Sequence, residues 1–444
     1  MDAVDAAANT AHRELDLVLW GATGYTGTLV ARELAGLLAA QNGSEAGARP
    51  AEARTDAPAW ALGGRSREKL EALRRELAEI DPAAAGLPLV VADALDPSSL
   101  EPMVRRARVV CTTVGPYERY GTPLVELCAA HGTDCCDLSG EIPWMRRTVD
   151  RFHDAARESG ARIVHGCGFD SIPSDLGTLL LHHRLEAAGS GLKRARLRVR
   201  KLQGGASGGT VATAFGIIEQ ARRDPGTRRI LLDPYALSPP GEREGPDRNS
   251  GRRPALDPDR AMWTAPFLMA MINTRVVRRT NALLGYPYGR DFRYDERVDA
   301  GPGFRGRLRA QRLAWTAGGL TTAAALPPTA WLLRRFVLPE PGEGPSEEQR
   351  ERGAFRIDLF GEGRPVDRDG PPPRARITVA ADRDPGYGAT ARMLATSALE
   401  LVTTRRSGEA GSGGVLTPAA ALGLPLVERL QGAGIAFETV PDAP

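Results

Sequence analysis

Leu17-Val18-Leu19-Trp20-Gly21-Ala22-Thr23-Gly24-Tyr25-Thr26-Gly27-Thr28-Leu29-Val30 is the stretch on which the fold turns. Its four leading apolar residues predict a short buried strand. Three glycines follow at a spacing of three, and an apolar-periodic helix then runs through Leu29, Val30, Leu34, Leu37 and Leu38. A strand, a glycine-rich turn and a helix in that order form a phosphate cradle. Gly21 permits the tight turn, Gly24 lets the backbone approach a pyrophosphate, and Gly27 lets the helix pack close to the strand. The helix N-terminus adds unsatisfied N–H groups and the positive end of its dipole. The spacing is GxxGxxG rather than the commoner GxGxxG. The bland alternative is a glycine-rich turn that holds no ligand.

Downstream, Trp60-Ala61-Leu62-Gly63-Gly64 reads as a second strand that exits through Arg65, and Ser66 is placed to cap a helix carrying Leu70, Leu73 and Leu77. Leu89–Ala92, Val109–Val114, Asp134–Leu138 and Ala161–His165 read as four further strands separated by helical segments. That alternation predicts an α/β protein with a Rossmann-type doubly wound parallel sheet. Beyond about residue 190 the pattern changes. Leu197–Arg200, Phe355–Leu359 and Ala375–Ala380 alternate apolar and polar residues, as strands with one wet face do. They predict a second α+β domain. The expected division is a disordered tail at 1–13, the nucleotide-binding domain at 14–177, the α+β substrate domain at 178–385 with a mobile loop at 233–260, and a helical C-terminal segment at 386–444 packing back on the first domain. Residues 41–58, rich in Ala, Gly, Ser and Pro, read as an inserted loop.

The 444 residues carry 58 Lys and Arg against 55 Asp and Glu, so no strong field for nucleic acid arises. Arginine greatly outnumbers lysine, which weakens any argument from a single arginine. Five cysteines without metal-like spacing predict a reducing compartment, no disulfide framework and no metal site. Cys135 and Cys136 are adjacent in a strand and point to opposite faces. Met1 to Arg13 lacks a basic region followed by an apolar core, so no secretion signal is expected. The 21 residues Leu313 to Leu333 carry no charge. Threonines, glycines and Pro327-Pro328 dilute their hydrophobicity, and the flanking arginines admit a shallow contact with lipid.

NAD enzymes usually carry an acid at the tip of the second strand, whereas an arginine there accommodates the 2′-phosphate of NADP. Here the tip reads Gly64-Arg65-Ser66-Arg67, which favours NADP, with Ser66 and Lys69 as further donors. Asp93, at the tip of the third strand, can accept from the adenine amino group or cap its own loop. The cradle residues Gly21, Thr23, Gly24, Tyr25, Thr26 and Gly27, with Thr113, Val114, Gly115 and Pro116 after the fourth strand, complete the expected cofactor site. Tyr117, Tyr120 and His165 are the candidate proton donors, each with packing as its alternative. Glu141 follows the fifth strand, and Asp170 and Ser171 follow the sixth. There is no Tyr-x-x-x-Lys pair, so the usual short-chain dehydrogenase relay is missing.

Five motifs stand in order: Gly21–Gly27, Gly64-Arg65-Ser66, Thr113–Tyr117 with Tyr120-Gly121, Asp137-Leu138-Ser139-Gly140-Glu141, and Gly168–Asp175. Together they resemble the saccharopine dehydrogenase-like oxidoreductases, and among them the trans-acting enoyl reductases of actinobacterial lipid and glycolipid synthesis. Gly342-Glu343-Gly344-Pro345, Asp384–Thr390 and Gly413–Pro418 carry the same resemblance. It implies an NADPH-linked reductase that acts on an unsaturated acyl chain held by a polyketide synthase carrier. Hydride would pass to the β-carbon and a proton to the α-carbon. An acyl tunnel in the second domain would suit such a chain, and residues 313–333 are candidates to line it. The cysteine usage predicts a cytoplasmic location, the stretch 313–333 a peripheral membrane contact, and the alternating strands of the second domain a homodimer paired across a two-fold axis. Two alternatives stay open: a dehydrogenase acting on an amino-acid C–N bond, and a non-catalytic nucleotide-binding, lipid-associated protein.

Overall fold

A computed structural model of the chain describes residues 13–45, 57–204, 216–217, 219–248, 253–325, 352–367 and 370–440, with single residues at 346, 348 and 350. The strands are β1 (Leu15–Trp20), β2 (Trp60–Gly64), β3 (Leu89–Val91), β4 (Ala107–Thr112), β5 (Asp134–Cys136), β6 (Arg162–Val164), β7 (Leu192–Gln203), β8 (Ala255–Asp257), β9 (Met262–Pro266), β10 (Arg293–Pro302), β11 (Ala354–Gly363), β12 (Arg374–Ala381), β13 (Gly414–Leu416) and β14 (Ala436–Val440). The helices used below are α1 (Tyr25–Glu45), α2 (Arg67–Leu77), α3 (Thr122–His131), α4 (Ile142–Ser159), α5 (Ile172–Ala187), α6 (Ala270–Leu283), α7 (Gly303–Ala325), α8 (Gly388–Arg406) and α9 (Pro418–Gly432). The chain divides into two compact units. The first holds residues 1–139, 147–169 and 387–433, and the second holds 140–146, 170–386 and 434–444.

The first unit is built on a seven-stranded sheet in the order β13-β6-β5-β4-β1-β2-β3. Its strands are all parallel. β1 lies between β2 and β4, with Leu17 opposite both Trp60 and Val109. Leu17, Val18 and Leu19 are fully buried, as a strand covered on both faces requires. The strand order reverses between β1 and β4, and that switch point opens a crevice at the carboxyl ends of the strands.

The seventh strand comes from the tail, which the sequence reads as mostly helical. β13 pairs with β6, and α8 is anchored by charge. Arg162 and Asp134 form a fully buried ion pair. The Arg162 guanidinium also donates to Thr404 Oγ1 at 2.7 Å and to the Leu401 carbonyl at 2.9 Å, both on α8, and Arg405 closes on the same carboxylate. A buried charge is tolerable only when it is paired and hydrogen-bonded in this way. Cys135 turns its thiol toward Cys128, and Cys136 toward Cys111; burial and these neighbours hold both thiols well above the usual range.

The second unit carries a mixed sheet in the order β14-β12-β11-β7-β10-β9-β8. β10 runs parallel to β7, and the other neighbours are antiparallel. The three alternating runs seen in the sequence lie in β7, β11 and β12. α5 belongs with this unit: a Cβ on Gly177 would stand 2.9 Å from Leu359 Cδ1 of β11.

Two loop expectations change. α1 continues to Glu45, into the stretch read as an inserted loop, whose residues 46–56 lie outside the described ones. The described part of 233–260 is not a loose loop. Arg275 donates to the Asp233 carbonyl, Arg278 pairs with Asp247, and Arg279 donates to the Leu237 carbonyl, which pins the segment to α6. Of the expected tail, Arg13 is described and donates to the Ala107 and His131 carbonyls. Residues 1–12, 249–252, 326–333, 342–345 and 441–444 lie outside the described residues.

The glycines of α1 yield opposite expectations. A Cβ on Gly27 would stand 2.0 Å from the Gly21 carbonyl oxygen, whereas one on Gly36 would meet nothing within 4 Å. Gly36→Ala is expected to raise stability by about 0.5–1 kcal/mol through helix propensity. Gly27→Ala is expected to lower it by more than that. Chemical denaturation of the two variants checks the pair.

Candidate active site

The glycine-rich turn between β1 and α1 shows which of its glycines the protein itself demands. Gly21 has φ of +87°, and a Cβ there would lie 2.6 Å from Val114 Cγ2 and 2.9 Å from Thr113 Oγ1. Thr113 donates its hydroxyl to the Gly21 carbonyl at 3.1 Å, joining the end of β4 to the turn. Gly27 is required by the helix–turn approach already described. Gly24 differs: it is exposed, and the nearest atom to a Cβ there is the Gly21 oxygen at 3.4 Å. The protein's own packing therefore accounts for Gly21 and Gly27 but leaves open space in front of Gly24. Thr23, Tyr25 and Thr26 surround that space on the turn and the first turn of α1.

At the tip of β2, Ser66 accepts from the Lys69 N–H at 3.3 Å and caps α2. Arg65, Arg67 and Lys69 are exposed and make no ion pair among the described residues. Elsewhere in the unit Arg32 pairs with Glu76, Arg105 with Glu101 and Arg392 with Glu33. The composition made every arginine suspect; the structure separates those that answer a carboxylate from Arg65, which does not. Asp93 is exposed, and one of its oxygens accepts from the Leu95 N–H at 2.9 Å, so it caps its loop.

After β4, Gly115 and Pro116 are exposed and joined by a cis peptide, with Val114 half-buried before them. Tyr117 is buried. Its hydroxyl donates to the Thr112 carbonyl at 3.2 Å and accepts from the Leu138 N–H at 3.1 Å. It therefore braces the ends of β4 and β5 against each other. Tyr120 is half-buried beneath the Arg119 guanidinium, 5.0 Å from its ring centroid.

His165 is also a brace. Its Nδ1 lies 2.6 Å from Asp137 Oδ2 and its Nε2 lies 2.9 Å from Thr148 Oγ1, all three residues being buried. The other Asp137 oxygen accepts from the Ser139 and Gly166 N–H groups. The cluster fixes the exits of β5 and β6, and both ring nitrogens of His165 are occupied. The sequence offers histidine and tyrosine as proton donors by residue type alone; packing and hydrogen bonding engage the Tyr117 hydroxyl and both His165 nitrogens with neighbours.

Three residues acquire a place that their residue types do not signal. Tyr387, just before α8, packs edge-to-face on Tyr25 with ring centroids 4.8 Å apart. Thr390 accepts from the Phe169 N–H at 3.1 Å, and a Cβ on Gly168 would stand 3.0 Å from its methyl group. In the second unit Asp170, six residues beyond the end of β6, sets its carboxyl beside Gly140 and Ile272. A Cβ on Gly140 would lie 3.7 Å from Asp170 Oδ2 and 2.7 Å from Ile272 Cδ1. Asp170 has no hydrogen-bond or ion-pair partner among the described residues, and desolvation pushes its pKa up to about 6. Glu141 is buried in the same unit.

No family model matches the chain. Curated proteins do. A trans-acting enoyl reductase of Mycobacterium tuberculosis is 42% identical over 441 residues, covering 97% of this chain and 98% of the relative. The trans-acting enoyl reductase of Mycobacterium ulcerans is 41% identical, covering 96% and 98%. The chain belongs to the trans-acting enoyl reductase family. Another Mycobacterium tuberculosis protein, provisionally given the same name, is 43% identical over 440 residues, covering 96% of this chain and 98% of the relative. Membership in the trans-acting enoyl reductases makes the chain an NAD(P)H-dependent oxidoreductase, with a nicotinamide as its cofactor. Among solved structures, the L-Glu-forming saccharopine dehydrogenase of Saccharomyces cerevisiae aligns with a TM-score of 0.50 at 13% identity. It covers 96% of this chain and 100% of the other, which shows a shared fold.

Within this trans-acting enoyl reductase, His165→Ala strands the buried Asp137 carboxylate and opens a void. Its expected cost is on the order of 3 kcal/mol, read as a lower thermal midpoint with coenzyme affinity retained in the folded fraction.

Proposed function

We propose that this protein is an NADPH-dependent trans-acting enoyl reductase that saturates the C=C bond of a lipid or polyketide acyl thioester. The observation that carries the coenzyme choice is Arg65: an exposed guanidinium with no carboxylate partner among the described residues, at the strand tip where the 2′-phosphate belongs. In this reading Gly21, Thr23, Gly24, Tyr25, Thr26 and Gly27 receive the pyrophosphate. Arg65 and Ser66 take the 2′-phosphate, and Asp93 takes the adenine amino group. Thr113, Val114, Gly115 and Pro116 flank the nicotinamide half. The open space before Gly24 and the uncommitted Arg65 are the features that fit the nucleotide. Bound NADPH supplies the hydride for the β-carbon; the protein orients the partners and keeps water out.

The α-carbon needs a proton, and in this reading Tyr120, half-buried on the loop after β4 of the same unit, gives it. Tyr117 and His165 serve as braces. The acyl substrate would arrive on a carrier, and the protein would work as a homodimer in peripheral contact with the membrane. No helix among the described residues is long and apolar enough to cross a bilayer.

Two measurements test the reading. In nicotinamide fluorescence titrations the wild type should prefer NADPH, and Arg65→Ala should lose roughly 10–100-fold in NADPH affinity while NADH binding stays nearly unchanged. A wild-type preference for NADH contradicts the coenzyme assignment, and binding of neither contradicts the reductase. Tyr120→Phe should lower kcat by roughly 10²–10⁴ without changing NADPH affinity. Retention of kcat in that variant contradicts the proton-donor assignment.

A further inference from the structure

Helix α7 has two apolar faces, and among the described residues the second unit packs on one of them. Ala310 packs into a cluster with Ala265 of β9 and Ala300 of β10, bordered by Trp263, Val298 and Leu313. Gly306 sits so close to the chain before it that a Cβ would lie 2.0 Å from the Gly301 oxygen. The helical repeat of 3.6 residues puts Phe304, Leu308 and Trp315 on the opposite side. They are 72%, 40% and 81% exposed. A solvated face would carry polar residues there. Flanking them are Arg305, Arg309 and Arg312, exposed and without an ion-pair partner among the described residues. Between Asp299 and Glu340 the sequence holds no acidic residue at all.

We propose that the outward face of α7 over residues 303–315 docks this protein on an anionic lipid bilayer, lying in the interface plane with Phe304, Leu308 and Trp315 in the acyl boundary. Aromatic and leucine side chains on one stripe with arginines along its edge suit that boundary. The apolar side chains gain burial and the guanidiniums meet lipid phosphates. An aqueous protein partner would have to cover the tryptophan and the arginine row together, whereas an anionic membrane satisfies both. The inference goes beyond the proposed reduction and requires no bound coenzyme; it would place a reductase of lipid-like chains where such chains gather.

Co-sedimentation with vesicles tests it, using the full chain and vesicles of phosphatidylcholine with or without phosphatidylglycerol. The wild type should bind the anionic vesicles at low salt and release as salt rises. Phe304→Ser with Trp315→Ser should weaken binding at least tenfold. Each of Arg305→Gln, Arg309→Gln and Arg312→Gln should cost roughly fivefold on the anionic vesicles and little on neutral ones. NADPH titration of the same variants should be unchanged, which shows that they fold and separates this test from that of the reductase. Absence of binding to anionic vesicles, or binding indifferent to the double variant, overturns the proposal. So does a wild-type dimer that the double variant dissolves, since the face would then belong to a second copy. A raised KM confined to carrier-bound substrate, without a vesicle effect, would give the face to an acidic carrier protein and likewise overturn it.

Discussion

Everything in the nucleotide-binding unit depends on how closely α1 can approach the turn after β1. With the Gly27 Cβ position 2.0 Å from the Gly21 oxygen, no side chain is compatible with that approach. Gly21 meets the second half of the constraint: its left-handed backbone turns the chain between Val114 and Thr113 without a Cβ to collide with them. Once helix and turn are held this way, the first N–H groups of α1 face the crevice at the switch point between β1 and β4. The cradle is thus a consequence of packing before it is a feature of binding, and Gly24, which the packing does not require, marks where the ligand enters the argument.

Charge organises the rest by a simple division of labour. Buried cations in this chain answer specific acceptors, as Arg162 does with Asp134, Thr404 and Leu401. Those contacts bring the distant tail segment onto the sheet and let it contribute β13 and Tyr387. The arginines of α6 hold the 233–248 segment through carbonyls and Asp247 in the same manner. Cations that answer no carboxylate among the described residues are then informative. Arg65 at the strand tip and the arginine row of α7 are such cases, one suited to a phosphate ester and the other to a field of lipid phosphates.

The β–turn–α stretch, six of the seven parallel strands and the alternating runs of β7, β11 and β12 were legible because burial imposes period and composition on them. β13 was not: three residues at a sheet edge leave no periodic trace. β8, β9 and β10 were hidden by polar side chains that pair across the second sheet, such as Arg198 with Asp257 and Asp295 and Arg297 with Thr264. The glycine spacing and the uncompensated charge at a strand tip were legible because both are local signals. What a titratable side chain does was not, because it depends on what surrounds it. Tyr117 and His165 have the right chemistry but spend it on Thr112, Leu138, Asp137 and Thr148. Asp170 is an ordinary residue type made unusual by an apolar neighbourhood contributed in part by Gly140 and Ile272, far away in sequence.

The central claim is that the chain transfers hydride from a nicotinamide to an unsaturated acyl thioester. Incubation of the purified protein with NADPH deuterated at C4 and a 2-enoyl thioester, followed by mass spectrometry and NMR of the product, addresses it directly. The account predicts a saturated thioester with one deuterium on the β-carbon and a solvent-derived proton on the α-carbon. Oxidation of the coenzyme without label in the acyl chain, or no turnover of enoyl thioesters by protein that binds NADPH, would contradict it.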